Sequence, residues 1–211
     1  MKSIFWYVIL SITVSGCASA SQPTRSAQFL SSDFSTQAQK KIAVLPLIDA
    51  RSDKDKDMQK LLSNQGTRDL FVSQVLRARG YTPVWIDADM GKCDERVETL
   101  SILNCFDSSI FQNGDLFLLI SIDEYVPPNG MHVAGNTKLS GVIYSKKSND
   151  FIWKDSIGGN YGGVPGAYGV GAYTGMLLVK AMSKDALFRN NVYNAVSKLL
   201  GSVPAFTQQA K

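Results

Sequence analysis

Histidine is almost missing from this chain of 211 residues: His132 is the only one. That excludes a His-rich metal centre and leaves one candidate for any His-based triad. No Gly-x-Ser-x-Gly elbow accompanies it, so a triad would need a serine without a signature, and His132 reads as a surface or edge residue. Cysteine is scarce too, with three residues, too few for a fold built on disulfides. Only 19% of residues are charged and 45% are hydrophobic, which excludes a disordered chain. The net charge of +4 comes without a basic stripe, so nothing calls for nucleic acid as a partner.

Of the residues present, the first to carry chemistry lie at the start. Met1-Lys2-Ser3 precedes the apolar run Ile4–Val14. A membrane-spanning helix needs about 20 apolar residues. The run is shorter than that and has the form of a secretory signal. Val14-Ser15-Gly16-Cys17 ends the run and resembles a bacterial lipobox, in which small residues let a peptidase close on the backbone and the cysteine thiol receives diacylglycerol. The implied domains are a signal peptide (residues 1–16), a lipidated Cys17 with a flexible Ser/Thr/Gln-rich tether (17–40), one α/β periplasmic domain (41–204) and a tail (205–211). Two or three acyl chains hold a protein stably on a bilayer, so the lipid bilayer is the first expected partner. Ala18 in place of aspartate favours, by resemblance to enterobacterial sorting, the outer membrane, facing the periplasm.

Past Lys40 the texture changes. Ile42–Ile48 is a near-continuous apolar run, as in a strand buried on both faces, and Pro46 marks a strand end or a bulge. A helix over 64–79 follows, with Phe71, Val72, Val75 and Leu76 on one face and Gly80 closing it; Tyr81–Ile86 is a second strand. This is a βαβ unit. Val97, Leu100, Leu103 and Phe106 recur every third residue, which drifts around an α-helix. Asp115–Val126 is the strongest strand. Thr137–Ser145 and Phe151–Ile157 form a hairpin around residues 147–150. A final amphipathic helix covers 184–200, burying Leu187, Val192, Ala195, Val196, Leu199 and Leu200, with Gly201 and Pro204 stopping it. The fold class is α/β, a compact sandwich with a mixed sheet and flanking helices.

Lys41-Ile42-Ala43-Val44-Leu45-Pro46, Arg79-Gly80-Tyr81 and Asp150-Phe151-Ile152-Trp153 in this order resemble a family of uncharacterised outer-membrane lipoproteins. Their periplasmic domain is similar to the N-terminal domain of the Tol-system translocation protein and to the curli-secretion and penicillin-binding-protein-activator lipoproteins. The resemblance spans residues 40–200. It implies an α/β sandwich and no catalytic residues.

The remaining candidates each have a plain alternative. With Cys17 lipidated, Cys93 and Cys105 form an even pair in an oxidising compartment, most simply a disulfide worth about 3 kcal/mol through the unfolded chain; a redox pair would need closer spacing. Asp53, Asp55 and Asp57 have the spacing that opens a calcium loop, but Met58 and Asn64 stand where Gly and Glu belong, so a solvated loop is the better reading. Asp123 and Glu124, adjacent on a strand, should point to opposite faces and not share a proton.

Gly158–Gly175 holds eight glycines, and no charge appears from Ser156 to Val179. The stretch ends Gly175-Met176-Leu177 where a phosphate loop needs Gly-Lys-Ser/Thr, and it misses the dinucleotide fingerprint as well. Gly171 and Gly175, four apart, would line one side of a helix, beside Met176 and Leu177 and near the amphipathic Tyr168 and Tyr173. Such a helix packs on the sheet, mediates self-association or binding to an envelope protein, or dips into the membrane. The expected function is that of a non-enzymatic interaction or assembly component of a cell-envelope complex, without cofactor or metal. The alternative is a small-ligand or cell-wall-binding module with a polar pocket at the strand carboxyl ends, lined by residues 49–57 and Asp87-Ala88-Asp89.

Overall fold

The computed structural model describes residues 24–37, 39–51, 72–87, 97, 103, 104, 106, 108–112, 114–126, 136–160 and 184–206. Seven strands form one mixed sheet: β1 (Thr24–Leu30), β2 (Lys41–Val44), β3 (Ile48–Asp49), β4 (Thr82–Trp85), β5 (Leu116–Val126), β6 (Asn136–Ser145) and β7 (Asp150–Asn160). The order across the sheet is β1-β7-β6-β5-β2-β4, with β3 also paired to β5. The helices are α1 (Phe34–Gln37), α2 (Gln74–Ala78) and α3 (Lys184–Leu200), with a 3-10 turn at Ser108–Gln112. The expected α/β class with a mixed sheet and flanking helices is what the chain adopts.

The parallel half has the strand pairing expected of a βαβ unit; of the helix predicted over 64–79, residues 64–71 lie outside the described residues and Gln74–Ala78 form α2. β2 runs parallel to both β4 and β5. β2 and β3 behave as one interrupted strand along β5. Val44 lies opposite Leu118 and Ile48 opposite Ser121, so the segment holding Pro46 carries one residue more than its partner. A proline cannot donate to a ladder, and the bulge accommodates it. On β4, Thr82 donates to the Lys40 carbonyl and Ile86 to that of Val44. Even positions thus turn toward β2, and Pro83, which has no N–H, occupies an outward position on the sheet edge.

The antiparallel half is the meander β5-β6-β7 with β1 added along β7. The turn between β6 and β7 places Asn149 at φ 55, a region asparagine tolerates better than most residues. The Tyr144 hydroxyl donates to its Oδ1 at 2.7 Å. β1 is not legible in the sequence. Residues 24–37 have the composition of a flexible tether, yet Thr24–Leu30 pairs with β7, and the α1 side chain Phe34 is buried. The polar composition hides this because an edge strand needs backbone pairing on one side only. Phe29 and Leu30 accordingly remain 46% exposed.

Both faces of the sheet are covered. On one, Ile42, Val44, Leu118, Ile120, Leu139 and Trp153 pack under α2 and α3, which contribute Leu76, Phe188, Val192, Val196 and Leu199. On the other, Ala43, Phe117, Leu119, Val142, Tyr144 and Phe151 pack with Val97, Phe106 and Ile110. Of the predicted buried face, Val192, Ala195, Val196, Leu199 and Leu200 have no exposed surface, and the Leu187 side chain is outside what the structure describes. Of the every-third positions after Val97, Leu103 and Phe106 are joined i→i+3: Phe106 N–H donates to the Leu103 carbonyl at 3.3 Å, and a 3-10 turn follows at Ser108–Gln112. Leu100 lies outside the described residues. Gly141 is required by packing. A Cβ there would meet the Trp153 ring at 3.1 Å and Leu199 at 3.0 Å.

Arg79-Gly80-Tyr81 is a receptor for the chain after α3. Arg79 donates to the Val203 carbonyl at 2.9 Å and to that of Gly201, placing a cation at the carbonyl end of α3. Its own carbonyl accepts from Phe206 N–H at 2.8 Å. Tyr81 donates its hydroxyl to the Pro204 carbonyl at 3.0 Å. Gly80 has φ 86, as a residue closing a helix should.

Candidate functional site

The parallel and antiparallel registers bring the carboxyl ends of β3, β4, β5 and β7 to the same end of the sheet, together with the amino ends of β1 and β6. The chain leaves the sheet there after Asp49, Trp85, Val126 and Asn160. In open α/β sheets this is where ligands and partners bind.

Two polar groups are built at this end, on opposite faces. On the face away from α3, the buried Asp123 carboxylate accepts from Ser121 Oγ at 2.7 Å and from Ser140 Oγ at 2.5 Å. Ser140 and Ser156 hydroxyls lie 3.2 Å apart. A serine has one hydroxyl proton, so with Ser140 donating to Asp123, Ser156 donates to Ser140. The chain of hydroxyls ends on the Asp123 carboxyl group. Asn136 donates to Glu124 Oε1 at 3.0 Å.

The predicted divergence of Asp123 and Glu124 does not hold. β5 has a register irregularity between Ile122 and Glu124, and Glu124 lies opposite Lys138. Asn136, Lys138 and Ser140 alternate onto one face of β6, so both carboxylates engage partners on that face. They remain separate in function: Asp123 is buried among serines, and Glu124 is exposed.

On the α3 face, Arg51 forms a two-pronged ion pair with Asp49, Nε to Oδ1 at 2.7 Å and Nη2 to Oδ2 at 2.7 Å. Both side chains are largely buried, at 10% and 5% exposure. The planar fork of the guanidinium matches the carboxylate. The guanidinium lies 5.8 Å from the centre of the Phe188 ring, which in turn meets Tyr125 edge-on at 4.8 Å. A cation at that distance from an aromatic face is attracted by the ring quadrupole. Burial raises the Tyr125 phenol above its ordinary value, with Asn191 and the Arg51 charge pulling the other way. The sequence signal for this group is the Asp-x-Arg that closes the apolar run, and for the first group the serines interrupting apolar strands.

Asp49 and Asp87 both lie at this end, but Asp49 is held by Arg51 while Asp87 is exposed. Ala88, Asp89, the Asp53–Asp57 stretch and His132 lie outside the described residues. So do Cys17, Cys93, Cys105, Tyr168, Gly171, Tyr173, Gly175, Met176 and Leu177. Among the described residues no group of His, Cys, Asp and Glu side chains could hold a metal ion, and no helix is long and apolar enough to cross a membrane.

No family model and no curated protein matches the chain. Solved structures do align with it. PelC from Paraburkholderia phytofirmans, a dodecamer, aligns over 88% of this chain and 98% of its own at 12% identity and a TM-score of 0.46. A single-residue variant of that dodecamer gives 89% and 99% coverage at 12% identity and a TM-score of 0.46. The hypothetical protein CT253 from Chlamydia trachomatis aligns over 75% and 98% at 12% identity and a TM-score of 0.38. At this identity and superposition, these likenesses carry nothing about function.

Proposed function

We propose that this protein is a lipid-anchored envelope protein whose α/β domain is a non-enzymatic interaction or assembly component. One observation carries the reading: Val14-Ser15-Gly16-Cys17 directly follows a short apolar signal. Acylated at Cys17, the chain sits on the outer membrane and faces the periplasm, where Cys93 and Cys105 pair. Asp123 is occupied by two hydroxyls and Asp49 by a guanidinium, so both carboxylates order the scaffold. The resemblance to uncharacterised outer-membrane lipoproteins points the same way, as a likeness of fold. The partner is an envelope protein or a second copy, met through residues 168–177.

The test is crosslinking in intact cells followed by affinity purification of the full-length chain. Specific adducts that disappear with Gly171→Leu and Gly175→Leu support the reading; recovery of free monomer alone overturns it.

A further inference from the structure

The distance between the lipobox cysteine and the sheet fixes which end of the domain meets the membrane. Thr24, the first residue of β1, lies seven positions after Cys17. Fully extended, that stretch reaches about 25 Å. The tether is therefore much shorter than the composition up to Lys40 implies.

β1 is antiparallel to β7, with Thr24 opposite Gly158. Its first residue thus belongs to the end of the sheet where β5 and β7 finish, and where Val126 is 49% exposed. The opposite end carries the β6–β7 turn. β6 alone has ten residues. At the rise of a β-strand it separates the two ends by about 30 Å. Both ends carry exposed charge, Lys40, Lys41, Asp115, Lys146, Lys147 and Asp150 at the far end and Asp87 and Glu124 at the near one. The short tether and the register of β1 decide between them.

We propose that the carboxyl end of the sheet, at Val126 and Thr24, is the bilayer-facing surface of the anchored protein, and that the β6–β7 turn points away from the membrane. The occupant of this surface is the lipid headgroup layer itself. The inference rests on the lipidation of Cys17.

The experiment uses the full-length chain purified from membranes and reconstituted into phosphatidylethanolamine–phosphatidylglycerol vesicles with an acceptor dye on the headgroups. A fluorescent amino acid is incorporated at Val126 or at Lys147. The expected result is several-fold stronger energy transfer from position 126, with the difference shrinking when about 20 Gly/Ser residues are inserted between Pro23 and Thr24. Equal transfer from the two positions, or stronger transfer from position 147, overturns the orientation. Mass analysis of the N-terminal peptide separates the two layers of the reading. An acylated Cys17 with equal transfer removes the orientation alone, and an unacylated Cys17 removes both.

Discussion

Gly80 and Gly141 both resist a methyl group, for different reasons. At Gly80 the backbone itself is left-handed, and a Cβ would stand 3.0 Å from the Phe206 carbonyl oxygen. Gly80→Ala should lower stability by about 1–2 kcal/mol for the dihedral alone. At Gly141 the cost is overpacking against Trp153 and Leu199, about 1–3 kcal/mol. Urea denaturation of the domain measures both, and unchanged midpoints would contradict these roles. Tyr81 adds a pH signature. Burial pushes its phenol up to about 12, against a smaller opposing pull from Arg79. The folded value lies above the unfolded one of 10.0. The stabilisation is therefore complete below the unfolded value and is lost as pH rises through the folded one. Tyr81→Phe should flatten that alkaline limb in pH-dependent denaturation, since the hydroxyl donating to Pro204 is what ionises.

At the scale of elements, β1 makes the clearest prediction. It covers the outer edge of β7, which otherwise presents a long, largely buried strand to other chains. A chain beginning at residue 39 should fold less stably and aggregate, read as lost monomer on size-exclusion chromatography, whereas removal of residues up to 23 should not. Legibility differs sharply among the elements. Ile42–Ile48, Leu116–Val126 and the β6–β7 hairpin are readable because buried strands must be apolar and their turns need special residues. Pro46 announces its bulge by the hydrogen bond it cannot make. β1 lacks any such mark, because pairing on one edge is a property of the backbone. The Asp123–Ser140–Ser156 relay is hidden for a related reason: its members lie on three strands, and only register brings them together. The bulge after Ile122 reverses the expected facing of Glu124, a one-residue effect that alternation cannot foresee.

For the whole molecule, the Cys17→Ser variant should move the protein from the membrane to the soluble fraction on cell fractionation, and a membrane-bound variant would exclude the lipid anchor. The sheet also has a consequence for how copies could meet. Its two borders differ: β1 contains no proline, while β4 has Pro83 at an outward position. Among the described residues no strand pairs with the outer border of β1. A contact that extended the sheet through β1 would join two copies about a two-fold axis and then stop, because the border remaining on each side lacks a donor where the next strand would begin. The proline thus acts as a chain terminator for edge-to-edge polymerisation, so that sheet extension through β1 stops at two copies and does not grow into fibres.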